Sequence, residues 1–346
     1  MSRWAVVLAG GVGSRFWPLS TPSRPKQLLP LATDKPLLRD SFDRLTPIVP
    51  AKQILVLTNT ALGGALAELL PELPAANLIF EPQPAGTAAA LTWAALEIAR
   101  RDGDDATMLC IHADWSINDD EQFRATLLEA EELALETGSL VTVGIVPTRP
   151  DPGFGYIQPG PAKAGGGAVV KRFVEKPDRA SAAQMSSDGY LWNSGIFVWR
   201  VADFLTEVKT HAKELARALT TAASADAMQF FGAVKVPVSV DVGVLERSGK
   251  VMVMPGEFGW DDIGTWAALS RVRPRDDLGN VTVGDVHLLD GCDNVVHAET
   301  GTVVMYGVDN LVVVTRDGLT LVTTTEKAAD LKRLVDSLPL SLRAPQ

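Results

Sequence analysis

Three cations, Arg15, Arg24 and Lys26, crowd the segment after a turn that holds Gly10, Gly11 and Gly13, and the turn itself follows an apolar run over residues 4–9. Glycines placed there let backbone N–H groups come close to a phosphate, because no Cβ intervenes. The cations would neutralise the bound anion. Pro18, Pro22, Pro25 and Pro30 stiffen the loop that carries them, which cations meant only for solubility do not need. Taken alone, the turn is either a phosphate cradle or a plain structural turn. Two familiar glycine fingerprints fail: Phe16 stands where a dinucleotide fold wants glycine, and no G-x4-G-K-[ST] string occurs.

Carboxylates and amides supply the second set of candidates. Asp114 ends the apolar stretch Met108-Leu109-Cys110-Ile111, so its side chain should emerge at the edge of a sheet, as a metal ligand or as an ordinary turn or helix cap. Asp262 lies in "WDDIGTW". Glu175 and Lys176 form an E-K-P string and Asn193 an N-S-G string; read alone, these are a surface turn with a solvated ion pair and a bend. Gly86 and Thr87 precede a helical pattern whose N-terminus favours polar or anionic groups.

The elements that must position these residues follow from periodicity. Buried β-branched runs at 4–9, 54–58, 77–81, 106–113 and 140–146 alternate with helical spacing at 87–101 and 121–137, the pattern of crossovers onto a mostly parallel sheet. Such sheets bind ligands at the carboxyl ends of their strands. A mixed region follows, with strands at 168–174 and 192–199 and a helix over 202–219. Beyond residue 275, short strands broken by Gly, Asp and Asn predict a small all-β appendage closed by a helix over 326–338. The acidic stretch 128–136 reads as a solvated helix face, and Trp93 and Trp192 as core or pocket wall.

Composition narrows the classes. At 346 residues the chain is long for one domain, and a prior of roughly 150 residues per domain suggests about two. A formal charge of −10, from 32 basic and 42 acidic side chains, disfavours nucleic acid and anionic membrane as partners. No window has the length of a signal peptide's apolar core or a membrane span, which predicts a cytoplasmic protein. Two distant thiols, Cys110 and Cys292, exclude a disulfide framework and a thiolate zinc site, and the four histidines are scattered.

The string "LAGGVGSRFWPLSTPSRPKQLLPL" resembles the signature of sugar-1-phosphate nucleotidyltransferases, and its Trp17 and "PKQLL" resemble the mannose-1-phosphate guanylyltransferase branch. "FVEKPD", "LWNSGIFVWR", "SVDVGVLERS" and "FGWDDIGTW" follow in that family's order, so the likeness spans about residues 4–330. It implies a GT-A-like (Rossmann-like) α/β catalytic domain over 1–275 and a C-terminal domain over 276–346 resembling a short left-handed β-helix. It also implies that GTP and mannose 1-phosphate give GDP-mannose and pyrophosphate with Mg²⁺, and that two copies pair through the C-terminal β-region.

By the same resemblance, Arg15 and Lys26 hold the triphosphate, and Asp114 and Asp262 hold the metal. Leu8, Ala9, Gly10, Gly11, Gly13, Glu81, Gly86 and Thr87 line the nucleotide. Gly155, Tyr156, Glu175, Lys176 and Asn193 take the sugar phosphate. The chain departs from its relatives at Ala85-Gly86, where mannose-specific members often carry Arg-Asn, and at His112 and Trp115 around Ala113-Asp114. Two alternatives stay open: the same chemistry with another nucleotide or hexose phosphate, and a silent paralogue that binds a sugar nucleotide to regulate a partner. The length predicts a single activity, without the cupin-type isomerase domain of some longer relatives.

Overall fold

The computed structural model describes residues 1–11, 14–163 and 165–343. The chain divides into two compact units: Met1–Gly10, Phe42–His112 and Asp119–Phe258 form the first, and Gly11–Ser41, Ala113–Asn118 and Gly259–Gln346 the second.

The first unit is built on nine strands: β1 Arg3–Leu8, β2 Ile54–Asn59, β3 Leu78–Glu81, β4 Thr107–His112, β5 Leu140–Ile145, β6 Tyr156–Ala162, β7 Ala168–Val174, β8 Leu191–Arg200 and β9 Val251–Gly256. Their order is β3-β2-β1-β4-β8-β5-β9-β7-β6. The first four are parallel, whereas β8 runs antiparallel to both β4 and β5, so the sheet is mixed. Strand order reverses between β1 and β4, with Leu8 opposite His112. In an open α/β sheet that reversal is where a ligand crevice forms.

Two helices have ends that match their sequence signals. Asp119 caps Asp120–Thr137 by accepting from the Glu121 and Gln122 N–H groups, and Gly138 ends it in the left-handed conformation at φ 63°. Thr87–Asp102 stops at Gly103 and buries its alanines, Trp93 and Ile98 in the main core. The helix expected over 202–219 is interrupted: Val201–His211 is followed by a short 3₁₀ turn and then Ala216–Thr221. Glu131 also differs from the solvated face expected of it. It is buried, accepting from Arg3 Nε at 2.7 Å and from the Thr107 hydroxyl, so it neutralises an arginine at the start of β1.

In the second unit, β10 Val281–Leu289, β11 Val295–Tyr306 and β12 Leu311–Arg316 run parallel and β13 Leu319–Thr324 returns antiparallel. An ordinary parallel pair needs a crossover of a dozen or more residues. Here residues 290–294 and 307–310 suffice. Asparagines stitch the successive turns: Asn280 Oδ1 accepts from the Asn294 backbone and side-chain amides, both at 3.0 Å, and Asn294 Oδ1 accepts from Leu311 N at 3.0 Å. Phe16, Trp17, Leu19, Leu29 and Leu31 of the N-terminal loop share one core with Trp266, Val295, Val312 and Leu321.

Candidate functional site

The N-terminal loop owes its stiffness to more than its prolines. Arg273 Nε and Nη2 donate to the Leu31 and Pro30 carbonyls at 2.8 and 2.7 Å, and Arg316 Nη1 donates to the Leu19 carbonyl at 2.9 Å. Phe16 packs edge-on against Trp266 with ring centroids 5.2 Å apart. Residues from three separate stretches of sequence are therefore tied into one assembly. Within it a cleft of about 330 Å³ is lined by Arg15, Phe16, Lys26, Asp114, Trp115, Asp262 and Gly264. All four residues expected to handle phosphate and metal meet there.

Lys26 is the centre of this group. Only 6% exposed, it donates from Nζ to Asp114 Oδ2 at 3.0 Å and to the Asp262 carbonyl at 2.6 Å. A buried polar group needs such hydrogen-bond partners to replace the water it has lost. Arg15 is exposed at the rim and donates from Nη1 to the Gly264 carbonyl at 3.3 Å. Gly264 has a steric reason to lack a side chain, since a Cβ there would stand 2.7 Å from Asp262 Oδ2.

In the first unit, Leu8 ends β1, and Ala9 is held by its N–H on the Leu57 carbonyl at 2.8 Å and by its own carbonyl accepting from Thr58 Oγ1 at 3.1 Å. Gly10 and Gly11 neither adopt a positive φ nor crowd a neighbour; a Cβ on Gly10 would stand 3.7 Å from Glu81 Oε1 and one on Gly11 would meet nothing within 4 Å. Among the described residues, packing does not demand glycine at either position. Gly13 lies outside the described residues. Glu81 ends β3, and burial raises its pKa to about 7.

Gly86 is a contrasting case. Its φ is +85°, and a Cβ would lie 2.3 Å from the Val238 carbonyl oxygen, so no side chain fits without moving that backbone. Thr87 Oγ1 accepts from Val240 N at 2.9 Å. The departure at Ala85-Gly86 is thus built into the path of residues 238–240.

The residues expected at the sugar also cluster. Asn193 N donates to the Gly155 carbonyl at 2.8 Å, and a Cβ on Gly155 would lie 2.8 Å from Glu175 Oε2. Tyr156 is fully buried, its hydroxyl committed to the backbone of Asp151, so it serves as wall. Lys176 is exposed and paired with Glu175. Sequence reasoning missed Asp241, whose Oδ1 accepts from Asn193 Nδ2 at 2.7 Å; burial raises its pKa against that hydrogen bond, and burial likewise raises that of Glu246. The one available signal was its position in "SVDVGVLERS".

Comparison with known proteins decides the family. The nucleotidyl transferase pattern matches residues 4–277. The chain belongs to the nucleotidyl transferase family. Among its relatives, a mannose-1-phosphate guanylyltransferase of Escherichia coli is 37% identical, over 98% of this chain and 74% of that protein. The xanthan biosynthesis protein XanB of Xanthomonas campestris is 36% identical over 96% of this chain and 72% of its own. A crystal structure from Thermus thermophilus, described as a mannose-1-phosphate geranyltransferase, superposes with a TM-score of 0.90 at 34% identity, covering 97% of this chain and 99% of that one. A UDP-glucose pyrophosphorylase of Acinetobacter shares the fold, with a TM-score of 0.53 at 16% identity.

As a nucleotidyl transferase the chain is an enzyme, and its second unit suits a hard cation. Asp114 and Asp262 offer carboxylate oxygens on one cleft, and Mg²⁺ binds through one or two carboxylates plus substrate phosphates and water. Among the described residues no group of three or more His, Cys, Asp or Glu could hold a metal, so a cation there would draw its remaining ligands from substrate and water. No helix among the described residues is long and apolar enough to cross a membrane.

Proposed function

We propose that the protein transfers a guanylyl group from GTP to α-D-mannose 1-phosphate, giving GDP-mannose and pyrophosphate, in the cytosol and with Mg²⁺. The observation that carries this reading is the meeting of Arg15, Lys26, Asp114 and Asp262 on one cleft. An oxygen of the sugar phosphate attacks the α-phosphorus in line, and the bond from that phosphorus to the oxygen bridging to the β-phosphate breaks. Little proton chemistry is needed, so positioning and charge neutralisation dominate. Lys26 and Arg15 stabilise the triphosphate and the departing pyrophosphate. Asp114 and Asp262 would hold Mg²⁺, which when bound neutralises charge on the phosphate oxygens.

The remaining residues divide the two substrates. Gly10 and Gly11, with Leu8, Ala9, Glu81, Gly86 and Thr87, border the nucleotide; the space that the described residues leave beside Gly11 supports this. Gly155, Tyr156, Glu175, Lys176 and Asn193 border mannose 1-phosphate. We read residues 1–275 as the catalytic domain, GT-A-like in fold, and 276–346 as an appended β-region. The short links between parallel strands and the asparagine ladder support a β-helix-like coil there. The exposed side chains of Leu289, Val304 and Tyr306 support pairing of two copies through it.

A second reading, another nucleotide or hexose phosphate on the same machinery, draws on Gly86, where the protein leaves no room for the side chain many mannose-specific relatives carry. The test is pyrophosphate release from each nucleoside triphosphate with each of several hexose 1-phosphates. GTP with mannose 1-phosphate should give the highest kcat/KM. Equal or better use of UTP or dTTP with glucose 1-phosphate would overturn the assignment.

A further inference from the structure

Asp262 has an acidic neighbour, Asp261, with a different environment. Asp261 is only 6% exposed, and its carboxylate takes both arms of the Arg271 guanidinium, Nε to Oδ2 at 2.7 Å and Nη2 to Oδ1 at 3.0 Å. Oδ1 also accepts from the Ile263 backbone N–H at 2.9 Å. Two-armed guanidinium pairing fixes direction as well as charge. Asp261 is therefore held from two sides.

The residue it caps is strained. Ile263 sits at φ +43°, a conformation that a β-branched side chain rarely adopts. Its fully buried side chain anchors it among Phe16, Trp17 and Trp266. This turn, lying directly after Asp262, presents the Asp262 carbonyl to Lys26 and lays its carboxylate over Gly264.

Asp261 also braces the other carboxylate. Its backbone exchanges two hydrogen bonds with Ser116, at 2.9 and 3.0 Å, and Trp115 packs edge-on against Trp260 at 6.2 Å. The short segment carrying Asp114 is thereby tied to the segment carrying Asp262. We infer that Asp261 and Arg271 form a positioning pair that sets the separation of the Asp114 and Asp262 carboxylates, and with it the affinity of the cleft for a divalent cation. Neither touches the phosphates; they act through Asp262 and Ser116. The inference rests on the proposed reading of Asp114 and Asp262 as the cation's ligands.

Equilibrium Mn²⁺ binding in the presence of GTP, followed by loss of the free-Mn²⁺ electron paramagnetic resonance signal, tests it alongside steady-state kinetics. Asp261→Asn and Arg271→Gln should each weaken Mn²⁺ binding about tenfold, the low end of what outer partners of metal ligands contribute. They should raise the Mg²⁺ concentration for half-maximal rate in parallel. The double variant should lose little more than either single one, because the two side chains act as one unit. Arg271→Lys, which keeps charge but not the fork, should recover only part of the loss. A purely structural pair would lower the melting temperature and leave cation affinity alone, and that outcome overturns the inference. Asp262→Asn separates the levels: if it binds Mn²⁺ normally, the reading of the cation ligands fails; if it loses binding while the Asp261 and Arg271 variants keep it, only the positioning pair fails.

Discussion

Lys26 and Asp241 are both charged groups withdrawn from water, but their surroundings differ. Lys26 lies between a carboxylate and a carbonyl from two distant segments, so its charge is matched within hydrogen-bonding distance. Asp241 is matched by the Asn193 amide, with His112 on one side and the carboxylates of Glu175 and Glu246 also near it. The first arrangement is prepared to exchange partners, because an arriving triphosphate can take the lysine and an arriving cation the carboxylates. The second gathers acceptors, which suits the proposed recognition of sugar hydroxyls. One region manages charge and the other counts hydrogen bonds.

The sharpest way to break this contrast is to remove the cation. Lys26→Ala should lower kcat roughly 100- to 1,000-fold, the range expected on losing one charged donor at a developing anion. Pyrophosphate release would report it, with KM for mannose 1-phosphate little changed. A drop confined to that KM would assign Lys26 to the wrong substrate.

Acid should weaken the second unit through His297, a buried residue of β11. Burial lowers its pKa from 6.5 to about 4, so between those values the unfolded chain binds a proton that the folded one refuses. The contribution is full above about pH 6.5 and is lost as pH falls towards 4. From pH 7 to pH 5 this amounts to about 2 kcal/mol. Denaturant unfolding at the two pH values measures it, and His297→Gln should flatten the difference.

The amide-to-carboxylate bond of the sugar region predicts a smaller and differently distributed change. Asp241→Ala leaves the Asn193 amide without its partner and should raise KM for mannose 1-phosphate roughly tenfold, while KM for GTP holds. A loss shared equally between both substrates would contradict the division of labour.

The mildest effect belongs to Glu81. With a pKa near 7, and on the proposed reading that Glu81 borders the nucleotide and accepts from a base N–H when ionised, KM for GTP should fall as pH rises through 7 and level off above it. About a tenfold difference between pH 6 and pH 8 is expected, since one pH unit below the pKa only about a tenth of the group is ionised. Glu81→Gln should remove the slope.

Much of this architecture was legible in the sequence, for identifiable reasons. β1, β2, β4 and β5 are nearly continuous buried runs, and the helical spacing over 121–137 foretold the helix Asp120–Thr137. β6 and β9 were hidden because "YIQPGPA" and "VMVMPG" carry the prolines and glycines that normally announce turns. Glu131 looked like surface charge because its partner, Arg3, is at the other end of a crossover. Asp261 and Ile263 gave no sign beyond their place in "WDDIGTW": the pairing of a buried aspartate with an exposed arginine ten residues on, and a strained φ, are products of tertiary packing. Motif reading pointed to the residues that the proposed function sets on substrate, and to none of those proposed to aim them.

The central claim is that Asp114 and Asp262 share one cation on the phosphates that Lys26 and Arg15 hold. A crystal structure of the protein with GDP-mannose and Mg²⁺ tests it directly. The account predicts a magnesium ion about 2.1 Å from an oxygen of each aspartate and bridged to the nucleotide's phosphates, with Lys26 close by. A metal bound away from either aspartate, or a nucleotide whose phosphates lie outside this cleft, would contradict it.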